Sequence, residues 1–232
     1  MDEGLDRVRD GQSTGRTLVR HAVATMTGTK LPTRASVAVC YAVAFWSGFF
    51  VMGVELLGGR LLAPNFGSSI YVWGALIAIF MLALSLGYLA GGRFSLNNPS
   101  LSRLALLLAA AAVTALPLLP LSGETLENLA IAIPDPRFGS LAAAAMLFFV
   151  PTFFSGMVSP YCVRLLVDDE RSSGRRAGQL YFVSTFGSAA GTILTSFYLV
   201  LWLEVNVILL SMIAISALLA AIAGFSTVKK KS

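Results

Sequence analysis

Long runs of apolar residues, separated by short polar stretches or by glycine and proline, dominate the sequence from residue 36 onward. Six of these runs have the length of about 20 residues that an α-helix needs to cross the hydrocarbon core of a membrane. The pattern therefore predicts an all-α, polytopic membrane helical bundle of about six transmembrane helices within residues 36–226. The predicted spans are 36–63, 70–92, 103–121, 139–167, 179–203 and 206–226.

Two basic segments flank the predicted bundle. The arm of residues 1–35 carries several acidic residues near its start and no short apolar core with a cleavage site, so we expect no cleavable signal. Residues 18–26 repeat apolar positions at helical spacing, which is compatible with a short helix lying on the membrane or with a mostly disordered arm. Residues 227–232 form a Lys-rich tail.

Composition and charge placement agree with a membrane bundle. Hydrophobic residues make up 56% of the chain and charged residues only 12%, about half of the roughly 25% that is typical of soluble domains. All lysines and arginines except Arg60 and Arg137 fall in the arm, the second and fourth connections and the tail, on alternate sides of the predicted bundle. This bias predicts that both termini are cytoplasmic, and that membrane lipid rather than nucleic acid is the partner.

Glu55 is a carboxylate within the first predicted span, where it is costly unless it faces protein or water. Arg60 lies about 140° away around an α-helix, so the two do not share a face. We expect Glu55 to meet polar side chains of other helices. A buried carboxylate that holds helices together and a binding site for a cation or polyamine both remain open. The candidate intramembrane polar site comprises Glu55, Arg60, Tyr71, Ser155, Ser159 and Tyr181.

Glycines at helical spacing mark the second and fifth spans. Gly87 with Gly91, and Gly187 with Gly191, each form a Gly-x-x-x-Gly pair that permits close packing of helix backbones. We predict that these two spans cross near each other or near a shared centre. Their equivalent positions, each second in a set of three, fit a three-plus-three inverted repeat.

The fourth span is the least regular one in sequence. Its run Phe148-Phe-Val150 echoes Phe49-Phe-Val51 of the first span, in keeping with a repeat. Pro151 and Pro160 follow, and each removes a backbone donor, which predicts a kink or local unwinding. The outer connection at 122–138 has an apolar stripe at helical spacing opposite two glutamates, and predicts either a simple surface helix or a lid.

Few residues suit metal or catalytic chemistry. Cys40 and Cys162 lie in different predicted spans at a spacing that matches no metal or redox motif, so we expect packing thiols. His21 is the only histidine, which leaves little for a His-ligated metal or a Ser-His-Asp triad. We expect no metal, no cofactor and no catalytic residues.

Two ordered sets of motifs resemble the membrane region of bacterial spermidine synthase-like proteins, often described as fused major-facilitator/spermidine synthase proteins. The first set is Glu55-Leu-Leu-Gly-Gly-Arg60-Leu-Leu-Ala-Pro64, continued to Gly74, and Leu86-Gly-Tyr-Leu-Ala-Gly-Gly-Arg93. The second set is Ser155-Gly-Met-Val-Ser-Pro160-Tyr-Cys-Val-Arg164, Gly174-Arg-Arg-Ala-Gly178-Gln-Leu-Tyr181 and Ser184-Thr-Phe-Gly187-Ser-Ala-Ala-Gly191. The resemblance covers nearly all of residues 45–205.

This resemblance implies one half of a major-facilitator fold. Long members of the family resemble such a bundle joined to a Rossmann-like aminopropyltransferase domain, which holds its substrate with a glycine-rich loop. No two glycines stand at positions i and i+2 in this sequence, so even the first half of a Gly-x-Gly-x-x-Gly loop is absent. We therefore expect that the chain lacks the catalytic domain and is not an enzyme on its own.

Three functions are compatible with these observations. The favoured one is a non-catalytic membrane module of this family that anchors or partners a soluble aminopropyltransferase-like subunit or a second membrane subunit. The alternative is a small transporter or channel for a polyamine-like cation, formed by a homo-oligomer such as a dimer around Glu55. A membrane enzyme ranks last, because its candidates Glu55, Tyr161 and Arg164 form no recognised constellation.

Overall fold

The computed structural model describes residues 34–119, 123–167 and 170–228, and these ranges contain helices and no strand. The helices are α1 (Arg34–Phe66), α2 (Ile70–Phe94), α3 (Leu101–Ala115), α4 (Glu124–Ala132), α5 (Pro136–Leu166), α6 (Glu170–Leu194) and α7 (Val205–Val228). A 3₁₀ turn, Leu116–Leu118, extends α3. A π-helical turn, Thr195–Leu199, and the helical residues Val200–Trp202 extend α6.

Six of these helices are long and apolar enough to span a membrane, so the predicted all-α polytopic bundle is confirmed. The observed spans are Ser36–Phe66, Ile70–Phe94, Leu101–Leu118, Pro136–Leu166, Ser173–Trp202 and Val205–Phe225. They match the predicted spans to within a few residues, apart from the fifth, which begins at 173 rather than 179. The predicted arm helix at 18–26 and residues 229–232 of the tail lie outside the described residues.

The outer connection contains the surface helix that its apolar stripe predicts. This helix, α4, packs on α1 and α5, and its Leu126 is fully buried in the core. Glu124 and Glu127 are exposed on its other side. Asp135 then caps α5 by accepting a hydrogen bond from the backbone N–H of Arg137 at 2.9 Å.

The connections α2–α3 and α5–α6 meet at one end of the bundle. The hydroxyl of the fully buried Tyr161 accepts a hydrogen bond from the backbone N–H of Ser100 at 2.9 Å and lies 3.2 Å from its carbonyl oxygen. The Arg176 guanidinium donates to the Leu166 carbonyl. We call this the basic end, because Arg93, Arg103, Arg164, Arg175 and Arg176 lie at it. The opposite end carries Arg60, Glu124, Glu127, Asp135, Arg137 and Glu204.

The helices pack mainly in three pairs. Helix α2 packs on α5, α1 packs on α6, and α3 packs on α7, while α1 also packs on α5 at the centre of the bundle. The glycine-bearing helices α2 and α6 form no packing interface with each other in the described bundle. The second and fifth spans therefore do not pack on each other, and each packs on the first helix of the opposite set of three. Because these two first helices pack on each other, the other alternative, a crossing near a shared centre, stays a prediction.

Glycines bring the backbones of α2 and α5 into close contact. A Cβ atom on Gly91 would lie 2.5 Å from the Met157 carbonyl oxygen, and Gly87 faces the Phe153 carbonyl in the same way. On the facing helix, a Cβ on Gly156 would lie 3.1 Å from the Leu84 carbonyl oxygen. Real Cβ atoms do not approach backbone so closely, so no larger residue fits at Gly87 or Gly91 without moving a helix.

The α1–α6 pair has the same construction. A Cβ on Gly191 would lie 2.5 Å from the Phe49 carbonyl oxygen, and one on Gly187 would lie 2.8 Å from the Phe45 carbonyl carbon. On the facing helix, Gly48 lies against the Ser184 carbonyl. Each pair thus contains three glycines that remove side chains from the helix crossing.

The two pairs correspond residue by residue. In α1 and α5, residues 45, 47, 48 and 49 occupy the same places as 153, 155, 156 and 157, while in α2 and α6 residues 84, 87 and 91 correspond to 184, 187 and 191. The correspondence suggested by the Phe-Phe-Val runs is therefore wrong, because the glycine contacts give a different register. The likeness to half of a major-facilitator fold stays a prediction.

Helix α5 passes through both of its prolines without interruption. Pro151 and Pro160 lie inside the continuous helix Pro136–Leu166, so the predicted local unwinding is absent. The irregular turn lies in α6 instead, at Thr195–Leu199. Close packing on both sides accounts for the continuity, because most of α5 from Pro151 to Cys162 is buried among its neighbours.

Candidate functional site

Glu55 is partly buried on the face of α1 that lies between α2 and α6. Gly48, Glu55 and Gly59 share this face, since they are separated by seven and four residues along the helix. A Cβ on Gly59 would lie 2.7 Å from the Trp73 ring of α2, and one on Gly48 would lie 2.8 Å from the Ser188 hydroxyl of α6. The carboxylate therefore stands on the floor of a groove whose walls are α2 and α6.

We call this feature the α2/α6 groove and define it by Glu55 on the floor and Tyr88 and Tyr181 on the walls. Its two walls form no extended packing interface with each other. The Tyr88 and Tyr181 side chains are 49% and 54% exposed. The two phenols lie toward the basic end of the groove, because Gln179 of α6 is bonded to Tyr41 of α1, whereas Glu55 lies two residues beyond Gly53, which contacts Thr195 of α6.

The carboxylate of Glu55 has no partner among the described residues. No hydrogen bond reaches it, and no described lysine or arginine lies within ion-pairing distance. A carboxylate that served to hold helices together would hydrogen-bond to a neighbouring helix. The described contacts thus give no support to a scaffolding role for Glu55.

Serines cluster where α1, α5 and α6 meet. The Ser47 hydroxyl donates to the Ser155 carbonyl at 2.9 Å, which joins α1 to α5 at the two equivalent positions of the paired helices. The Ser159 and Ser184 hydroxyls lie 3.4 Å apart and join α5 to α6. The Ser188 hydroxyl donates to the carbonyl of Ser184, within its own helix. Hydrogen bonds between helices, such as those of Ser47 and Ser159, hold helices together inside a membrane, where water is absent and lipid offers no hydrogen-bond partner.

Arg60 and Tyr71 lie apart from this cluster. Arg60 is exposed near the end of α1. The ring of Tyr71 faces Arg137, whose guanidinium carbon lies 4.7 Å from the ring centroid, so these two residues form a cation–π contact at the end opposite the basic end. Neither side chain is bonded to Glu55.

The six residues of the predicted polar site are therefore not joined to one another. No hydrogen bond or ion pair connects any two of them in the part of the chain that the structure describes. Glu55 and Tyr181 line the α2/α6 groove, Ser155 and Ser159 lie in the serine cluster, and Arg60 and Tyr71 lie near the opposite end. Within the described ranges, no three His, Cys, Asp or Glu residues are placed to hold a metal ion.

Sequence reasoning gave no indication of the π-helical turn in α6. Thr195 begins this turn, and its hydroxyl is fully buried without a hydrogen-bond partner in the described structure. It lies against Gly53 of α1, where an added Cβ would be 3.2 Å from the hydroxyl oxygen and 2.5 Å from the Met212 methyl group. π-Helical turns often occur at functional sites, but no spacing of residue types marks one in a sequence.

Helix α6 is unusual among the six spans because it is both the least apolar and the least buried. Its mean hydropathy is 1.3, against 1.9 to 2.6 for the others. Only 17% of its most apolar stretch is buried within the bundle, against 39–56% for the others. In a membrane, a helix with more polar side chains is expected to be the more buried one, since lipid cannot satisfy polar groups.

One side of α6 forms a continuous exposed stripe along the helix. We call it the outer stripe; its residues are Gly178, Phe182, Thr185, Ala189 and Ile193. The Thr185 hydroxyl makes no hydrogen bond to any described residue, whereas those of Ser188 and Thr192, turned toward the bundle, are both bonded. Three of the five residues are small or carry a hydroxyl, which is typical of a helix–helix contact rather than a lipid-facing surface.

No protein-family model, no curated protein and no solved structure matches the chain. The likeness to spermidine synthase-like proteins therefore stays a prediction from the quoted motifs.

Proposed function

We propose that the chain is a non-catalytic membrane module that works together with a second membrane subunit packed on the outer stripe of α6. The observation that carries this proposal is that the least apolar of the six spans is also the least buried. A neighbouring protein helix would remove this mismatch, because it offers hydrogen-bond partners that lipid lacks. The same subunit would cover the α2/α6 groove, whose α6 wall adjoins the outer stripe.

The residues of the outer stripe fit such a contact in size as well as polarity. Thr185 and Ala189 form a small-x-x-x-small pair, which allows the backbone of another helix to approach. Phe182 and Ile193, one turn away on either side, are large enough to fill the space where two crossing helices diverge. A soluble aminopropyltransferase-like subunit, which the family resemblance implies, would instead bind outside the membrane and leave the outer stripe in lipid.

Purification in a mild detergent, followed by the mass of the complex from light scattering, tests this proposal. The informative variant is Ala189→Phe, which fills the centre of the outer stripe. Its matched control is Leu89→Phe, at the corresponding exposed position of α2. We expect the wild type and the control to carry a second membrane subunit, and Ala189→Phe to lose most of it.

The proposal would be contradicted if the purified wild-type protein had the mass of a single chain. It would also be contradicted if the co-purified partner were a soluble protein that the Ala189→Phe variant still binds.

We also propose an orientation in the membrane, with both termini cytoplasmic in a bacterial inner membrane. The arginines at the basic end support it, because cytoplasmic loops carry an excess of basic residues. A topology reporter fused in the α2–α3 connection, near Asn97, should respond as cytoplasmic, and one fused near Glu127 of α4 as external. The reverse pattern would contradict the orientation.

A second candidate function is transport of a polyamine-like cation by a dimer of this chain. The specific observation in its favour is the Glu55 carboxylate, which has no partner among the described residues and lies in the α2/α6 groove. A carboxylate without a partner suits an amine, because the charge of the ammonium group can pair with it. In a dimer, two such grooves would enclose a common pathway.

Uptake of labelled spermidine into proteoliposomes tests this second function. Glu55→Gln keeps the shape of the side chain and removes its charge, and we expect it to reduce uptake by on the order of tenfold, equivalent to about 1.4 kcal/mol. Glu127→Gln, on the exposed side of α4, is the matched control and should leave uptake unchanged. Equal uptake by the wild type and Glu55→Gln would remove the carboxylate from any transport role.

A further inference from the structure

The two cysteines of the chain face each other in the interior of the bundle. Cys40 of α1 and Cys162 of α5 are free thiols, 1% and 0% exposed, in the same buried apolar cluster. Both cysteines lie where the facing helices α1 and α5 pack on each other. Their separation in the sequence hides this contact, which spacing rules for metal or redox motifs do not detect.

The register of the α1–α5 contact explains why the thiols meet. Ser47 of α1 contacts Ser155 of α5. Cys40 lies seven residues before Ser47, and Cys162 lies seven residues after Ser155, so each cysteine is two helical turns from the serine on the same helix face. Since the two helices run in opposite directions, both steps lead toward the basic end, where the cysteines oppose each other.

The thiols are buried but lie close to surface depressions at the basic end. Tyr41, next to Cys40, lines one depression together with Gln179 and Phe182 of α6. Val163 and Arg164, next to Cys162, line a second one together with residues of α2 and α6. A small oxidant in either depression would therefore contact a residue that adjoins one of the two cysteines in the sequence.

We propose that Cys40 and Cys162 are a redox pair that forms a reversible disulfide between α1 and α5, with a peroxide as oxidant. One thiol attacks a peroxide oxygen: an S–O bond forms, the O–O bond breaks, and the departing oxygen leaves as water after taking up the proton of that thiol. The second thiol then attacks the sulfenic sulfur. An S–S bond forms, the S–O bond breaks, and the hydroxyl leaves as a second water with the second proton. Both sulfurs are oxidised and the peroxide oxygens are reduced.

The disulfide would tie together the two helix pairs of the fold. Cys40 belongs to the α1–α6 pair and Cys162 to the α2–α5 pair, and in the reduced protein these pairs are held at this level by apolar packing. A covalent link at the basic end, two turns beyond the hydrogen bond of Ser47, would fix the pairs against each other there. The inference is independent of any partner on α6.

Mass spectrometry of the full-length chain tests the inference. The protein in membranes is treated with hydrogen peroxide, the reagent is removed, and the chain is unfolded in SDS with an alkylating reagent. We expect two alkyl groups on the untreated chain, none on the oxidised chain, and two again after reduction with dithiothreitol. Two alkyl groups after oxidation, or separate oxygen addition to each sulfur without an S–S bond, would overturn the proposal.

A displaced pair of cysteines provides the matched control. In the double variant Cys40→Ser, Ser47→Cys, the chain keeps two thiols, but the new one is about 10 Å further along α1, from seven residues at 1.5 Å each. Both thiols of this variant should remain open to alkylation after peroxide treatment. Disulfide formation as fast as in the wild type would show that the facing register is not what brings the thiols together, and would contradict the inference.

Discussion

The α2–α5 and α1–α6 helix pairs have the same backbone packing and different side-chain chemistry. Each pair is built on three glycines at corresponding positions. The side chains differ, however, because α2 has Leu84 at the position where α6 has Ser184. The mean hydropathy of α2 is 2.2, whereas that of α6 is 1.3. The comparison shows that the glycines determine how the helices cross, while the polar residues are placed independently of that crossing.

The first helices of the two pairs differ in the same direction. In the register set by the glycine contacts, Glu55 of α1 corresponds to Val163 of α5, which carries no charge. The α1–α6 pair therefore holds the unpartnered carboxylate, the π-helical turn and the exposed outer stripe, whereas the α2–α5 pair holds none of these. A fold that needed only to be stable would not require this difference, so the α1–α6 pair is where we expect the function to lie.

The largest expected effect tests whether the two pairs are equivalent in packing. Gly91→Leu in α2 and Gly191→Leu in α6 each force a side chain into the backbone of the facing helix, and each should lower the free energy of unfolding by about 1–3 kcal/mol or more. SDS or thermal unfolding in detergent micelles measures this loss. Gly92→Leu, where an added Cβ meets nothing, is the control and should cost little.

Losses that differ by more than about 2 kcal/mol between Gly91→Leu and Gly191→Leu would break the proposed equivalence of the pairs.

A smaller loss of stability is expected at Tyr161, a side chain that has no counterpart in the α1–α6 pair. Tyr161 of α5 holds the α2–α3 connection through Ser100, whereas the corresponding position in α1 is Gly53. Tyr161→Phe leaves the Ser100 N–H without its partner and should lower the free energy of unfolding by about 1–3 kcal/mol. The same unfolding assay applies. Tyr198→Phe, at an exposed residue of the π-helical turn, should leave stability unchanged.

The smallest effect concerns the hydrogen bond between the two pairs. Ser47→Ala removes the donor to the Ser155 carbonyl and should lower the free energy of unfolding by about 0.6 kcal/mol, the average for interhelical hydrogen bonds in a membrane. Ser85→Ala, which removes a hydroxyl bonded within its own helix, is the control. A loss at Ser85 as large as that at Ser47 would show that the α1–α5 hydrogen bond has no special role.

The fold was largely predictable because apolar run length alone fixes the number and type of the spans. The α4 helix was also predictable, since its apolar stripe is a local signal. Which helices pair was not predictable: the glycine pairs indicate close contact but do not say with which helix. The continuity of α5 through Pro151 and Pro160 was missed for the same reason, because tertiary packing decides it.

The candidate site was predictable only at its centre. Glu55 stands out because a carboxylate in an apolar run is rare, and the structure places it in the α2/α6 groove. Its neighbours could not be derived, because the rotation of each helix decides which side chains enter the groove. For this reason the Tyr71 ring forms its cation–π contact with Arg137 and not with a residue of the groove. The Cys40–Cys162 contact likewise depends on the register between two helices more than a hundred residues apart in sequence.

Disulfide cross-linking in native membranes tests most directly whether a protein partner covers the outer stripe. Ala189→Cys and its control Leu89→Cys, corresponding exposed positions of α6 and α2, are each introduced with Cys40→Ser and Cys162→Ser. Where the partner has no cysteine at the contact, a thiol-reactive photo-cross-linker replaces direct oxidation. The account predicts a discrete cross-linked species from Ala189→Cys and none from Leu89→Cys. The account would be contradicted if neither variant formed a cross-linked species, or if both variants cross-linked equally.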